Sequence, residues 1–71
     1  MRSDTMKSYF DNRTQHWFVY TSEIIETHWG PENRVTIHQE NGPEDAIVVV
    51  QEAMCVEGCV REGIELLYPT A

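Results

Sequence analysis

Asn41-Gly42-Pro43-Glu44-Asp45-Ala46-Ile47-Val48-Val49-Val50-Gln51-Glu52 carries two opposed signals. Proline suits the first position of a helix, where its missing N–H has no partner to lose, and Glu44 and Asp45 would complement the helix dipole. Against this, Ile47 to Val50 is a run of β-branched residues, which favour a strand. The Pro-Glu-Asp opening tips the reading toward one α-helix near residues 43–60. Ile47, Val50, Met54 and Gly58 then share a face, widened by Ala46, Val49 and Ala53. Arg61 and Gly63 supply a basic last turn and a stop.

On the N-terminal side of this segment, Arg34-Val35-Thr36-Ile37-His38-Gln39-Glu40 alternates as a strand does. Gly30-Pro31-Glu32-Asn33 reads as a loop before it. Residues 23–29 alternate as a preceding strand, although Ser22, Gly30 and Pro31 also frame a short helix. His16-Trp17-Phe18-Val19-Tyr20-Thr21 is aromatic and β-branched throughout, and Asp11-Asn12-Arg13-Thr14 is a turn cluster that joins it to a strand over residues 7–10. On the C-terminal side, Ile64-Glu65-Leu66-Leu67-Tyr68 reads as a last strand, stopped by Pro69.

The fold class is therefore α+β: a small two-layer domain. An antiparallel β-meander of three to four strands, plus a C-terminal strand, is packed by one helix near residues 43–60. The expected core is Trp17, Val19, Val35, Ile37, Ile47, Val50, Met54, Ile64 and Leu66. Pairing 23–29 with 34–40 keeps Val35 and Ile37 on one face if Trp29 meets Val35 and Thr27 meets Ile37. That register sets Glu26 opposite His38, and the carboxylate should help His38 hold its proton.

Seventy-one residues make one domain, with residues 1–6 expected to be a disordered leader and 7–71 the compact unit. No run approaches the roughly 18 apolar residues of a membrane span, and no apolar segment of a secretory signal follows Met1. Two cysteines four positions apart, Cys55 and Cys59, do not make a secreted disulfide framework. A cytoplasmic protein with reduced thiols is expected.

Lys and Arg number 5 against 12 Asp and Glu, for a net charge of -7. Five cations cannot form the basic stripe that binds nucleic acid through phosphate neutralisation, nor hold an anionic membrane. The aromatic run His16, Trp17, Phe18 and Tyr20 could stack on bases, but single-strand binding also needs a cationic groove. His16, His28, His38, Cys55 and Cys59 show no spacing of a zinc site, so no metal or cofactor is expected. Cys55 with a histidine, or His38 with Glu26, would make a reactive pair. Neither belongs to a catalytic motif, and so short a chain has little volume for a water-excluding pocket, so the protein is not expected to be an enzyme.

Ten of the acids fall between Glu23 and Glu65. Glu40, Glu44, Asp45, Glu52, Glu57 and Glu62, with Glu65 beside them, flank the expected helix and are the candidate partner-binding residues. Their carboxylates could stand in for phosphates on a basic, nucleic-acid-binding surface of another protein, giving a stoichiometric inhibitor or modulator. By analogy alone, small acidic proteins of this simple build include phage- and plasmid-encoded inhibitors of host enzymes. The alternatives are a small metal- or ligand-binding domain using His38, Cys55 and Cys59, or a subunit that homodimerises through an exposed edge strand.

Overall fold

The aromatic and β-branched run that starts at His16 meets no turn before His28, and the whole of His16–Thr27 is one strand. In the computed structural model, which describes residues 6–52 and 55–69, this strand is β2. β1 (Lys7–Asp11) precedes it, and β3 (Gly30–Gln39), β4 (Ile47–Glu52) and the helix α1 (Val56–Leu67) follow. The strands form one antiparallel sheet in the order β1-β2-β3-β4, and α1 packs on one of its faces. The two-layer α+β class is as the sequence implies.

The placement of the helix is not. Residues 47–52 are strand β4, and the helix expected near residues 43–60 lies instead at Val56–Leu67. The β-branched run wins because β3 offers it partners: Val50 pairs with Val35 and Val48 with Ile37. Apolar burial on a pleated surface outweighs a helix-opening signal worth about 1 kcal/mol or less. Pro43-Glu44-Asp45 closes a turn, in which Ala46 N–H donates to the Pro43 carbonyl at 3.1 Å. The expected C-terminal strand at 64–68 is the end of α1 and its cap. Cys55 is the N-cap, its sulfur accepting from the Gly58 N–H at 3.4 Å. Ala53 and Met54, like residues 1–5 of the expected leader, lie outside the described residues.

The β2–β3 register also differs. Only His28 and Trp29 separate the two strands, so Val35 meets Ser22 rather than Trp29, and Ile37 meets Tyr20 rather than Thr27. Thr27 ties this turn through its hydroxyl, which donates to the Gly30 carbonyl at 2.6 Å and accepts from Trp29 N–H at 3.1 Å. Gly30 sits at φ 114°, which a side chain would disfavour. Pro31 costs no ladder bond to β4, because β4 pairs with β3 only from Asn33 onward. Val35 thus finds its partner an odd number of residues from the expected one, which turns β2 over. Phe18 and Tyr20 face the helix, and Trp17 and Val19 face away.

The core follows from this. Phe18, Val35, Ile37 and Val50 from the sheet meet Cys59, Val60 and Ile64 from α1, each almost fully buried. Burying an apolar side chain of this size contributes about 1.5–3 kcal/mol. Of the other expected core residues, Trp17 and Ile47 stand exposed on the far face of the sheet, and Leu66 is exposed on α1. The end of α1 is fastened by Tyr68. Its ring stacks on His16 and meets Phe18 edge-on, and its hydroxyl donates to Gln39. Its carbonyl accepts from Arg13 at 2.7 Å.

Candidate functional site

Cross-strand partners share a face of a sheet, so the register yields the open face row by row. Phe10 lies beside Trp17, with ring centroids 5.2 Å apart. The next row is Ser8, Val19, His38 and Ile47, and the one after it Thr21, Thr36 and Val49. Glu40 continues the first row, its N–H donating to the Trp17 carbonyl at 2.9 Å, whereas the second and third rows contain no Asp, Glu, Lys or Arg. Glu23, Arg34 and Gln51 make the fourth row, where Arg34 and Glu23 pair at 3.4 Å. Met6, Val19, Tyr20, Thr21, Thr36 and His38 line a shallow depression of about 150 Å³ in this face.

Both faces of β2 are apolar, and only one has the helix to cover it. Trp17 is 51% exposed, Ile47 47% and Val49 46%. Sequence reasoning missed this surface because it assigned Trp17, Val19 and Ile47 to the core. The visible signal was that His16 to Tyr20 has apolar residues at odd and even positions alike.

The six expected partner-binding acids are all exposed, but they do not form one patch. Glu40, Glu44 and Asp45 lie at the β3–β4 connection. Glu52 ends β4, about 16 Å away from Ile47 at the usual rise per residue. Glu57 is in the first turn of α1 and Glu62 is farther along it. Glu65 meets Arg13 at 3.9 Å across the exposed surface. The acids therefore divide among the β3–β4 connection, the end of β4 and α1.

The residues of the alternative metal site are also separated. His38 opens onto the depression, on the opposite side of the sheet from the buried Cys59. Cys55 is exposed at the start of α1. Among the described residues no group of three or more His, Cys, Asp or Glu side chains is placed to hold a metal ion. Burial pushes the Cys59 thiol above its ordinary pKa. A hydrogen bond with the Glu52 backbone opposes this, and the Glu52 and Glu62 charges add to the rise. Such a thiol is a poor nucleophile. The expected Glu26–His38 pair does not form: Glu26 is opposite Pro31, and His38 is between Val19 and Ile47.

Among the described residues no helix is long and apolar enough to cross a membrane. Compared with family models, curated proteins and solved structures, the chain matches none.

Proposed function

We propose that the protein is a non-enzymatic binding module that acts stoichiometrically on a protein partner. Its acidic helix side docks on a basic surface, of the kind that otherwise holds nucleic acid. The observation that carries this reading is the segregation of charge. Glu44, Asp45, Glu52, Glu57 and Glu62 are exposed along α1 and at the two ends of β4, while two rows of the open sheet face have no Asp, Glu, Lys or Arg. Opposite charge on a partner would speed association and set its orientation. Work in a reducing compartment such as the cytoplasm fits two thiols held by one helix and its cap.

Because the acids fall into groups, two reversals probe them separately: Glu44→Lys with Asp45→Lys, and Glu57→Lys with Glu62→Lys. A partner captured by the full chain is purified and titrated with wild type and both variants at low and high salt. Affinity that falls steeply with salt, and falls again with at least one reversal, supports the reading. Unchanged affinity for both reversals, in variants with wild-type circular dichroism, contradicts it.

A further inference from the structure

We propose that the outer edge of β4 receives an extended segment of a partner protein, added to the sheet as a further strand, apolar at its centre and carrying Lys or Arg at both ends. The proposal rests on the reading above that the partner is basic, and it names the part of the partner that makes contact.

Hydrogen-bond parity opens this edge. In an antiparallel pair, successive residues turn both backbone groups toward the neighbouring strand and then both away from it. Glu40, just past β3, donates its N–H to the Trp17 carbonyl, so the even-numbered residues of β3 bond to β2 and the odd-numbered ones to β4. Asn33, Val35 and Ile37 therefore hold Glu52, Val50 and Val48. Ile47, Val49 and Gln51 are left with N–H and C=O pointing outward, where no further strand lies among the described residues. All three are exposed. Natural edges are commonly blunted by Lys, Pro or a bulge. Ile47–Glu52 has no Lys or Pro, and its register with β3 runs without a break.

Charge selects the occupant. Glu44 and Asp45 precede this edge, Glu52 ends it and Glu57 follows in the first turn of α1, all of them exposed. No Lys or Arg stands between Arg34 and Arg61 in the sequence. β1, the other edge, carries one charge of each sign, Lys7 and Asp11. A second copy fits the β4 edge poorly. Two-fold antiparallel pairing centred on Val49 sets each Glu52 opposite the other copy's Ala46, beside its Asp45, so like charges meet at both ends. A strand with a cation at each end meets opposite charge there instead. Its central residues would lie beside Ile47 and Val49 on one face, where β-branched side chains pack best.

Nuclear magnetic resonance of the isotope-labelled full chain tests this, with the capped peptide Lys-Lys-Val-Thr-Val-Thr-Val-Lys-Lys as the probe. Amide hydrogen exchange should slow at Ile47, Val49 and Gln51, and not at Ser8 and Phe10, whose amides point outward from β1 by the same parity. The peptide with Glu in place of every Lys should bind on the order of tenfold more weakly or worse. Val49→Pro removes an outward donor and no bond to β3, and should weaken the Lys peptide on the order of tenfold or more. Circular dichroism establishes that the variant is folded, and Gln51→Pro, which also removes an outward donor, replaces it if it is not. Absence of protection at the three β4 amides at millimolar peptide overturns the proposal. So does equal affinity for the two peptides, or an affinity that Val49→Pro leaves unchanged. A captured partner that responds to the charge reversals but not to Val49→Pro overturns the edge contact and leaves the acidic reading standing.

Discussion

Gly63 of α1 lies directly on Ile37 of β3. A Cβ at residue 63 would overlap Ile37 Cδ1 and approach Val48 Cγ1 to 3.2 Å. The missing side chain lets the helix sit close on the sheet. In a free helix Gly63→Ala would gain about 1 kcal/mol, whereas overpacking a core costs about 1–3 kcal/mol. The second effect should win, and Gly63→Ala should lower the urea midpoint of unfolding. A raised midpoint would show that α1 can move outward at little cost.

The two thiols should differ in reactivity. Cys55 is exposed, whereas burial raises the pKa of the Cys59 thiol. Under native conditions an alkylating reagent should modify Cys55 quickly and Cys59 only on unfolding, read by mass spectrometry. The pH dependence follows from the raised pKa. Keeping Cys59 neutral stabilises the fold fully below the unfolded pKa, and that contribution is lost as pH rises through the folded one. Cys59→Ala should flatten the alkaline loss of stability, although the cavity it leaves lowers stability at every pH.

Tyr68 should act as the fastener of α1. Tyr68→Phe removes the hydrogen bond to Gln39 and keeps the rings, at a cost of about 0.5–1.5 kcal/mol. Tyr68→Ala also loses the contacts with His16 and Phe18 and should cost about 3 kcal/mol or more. Thermal melts followed at a helix wavelength separate the two. Equal loss in both variants would assign the whole effect to the hydroxyl.

Much of the architecture was legible in the residues, and the errors share a physical origin. Asp11-Asn12-Arg13-Thr14 correctly marked the first hairpin, because Asp11 accepts from the Thr14 N–H at 2.8 Å and the chain turns within that cluster. Ile47–Val50 was misread because local signals at Pro43-Glu44-Asp45 are weak beside the pairing that β3 provides, and pairing is not a local property. Gly63 read as a stop, when its meaning lies in the approach of Ile37. The open face was hidden by the parity of β2. Trp17 and Phe18 are equally apolar candidates, and only the two-residue turn at His28 and Trp29 decides which one meets α1. The acids were correctly expected at the surface, while their division into separate groups depends on the length of β4.

That parity can be checked directly. The β2–β3 register predicts cross-strand nuclear Overhauser contacts between Val19 and His38 and between Thr21 and Thr36. Contacts from Thr27 to Ile37 would restore the other register and return Trp17 to the core.

The central claim about the fold is that β2 turns Phe18 toward α1 and Trp17 to the open face of the sheet. The chain has two tryptophans, and Trp29 stands 86% exposed at the tip of a turn. Trp29→Phe leaves Trp17 as the only reporter. Trp17 emission should lie at long wavelength and be readily quenched by acrylamide, as a ring 51% exposed requires. Short-wavelength emission shielded from acrylamide would return Trp17 to the core and contradict the account.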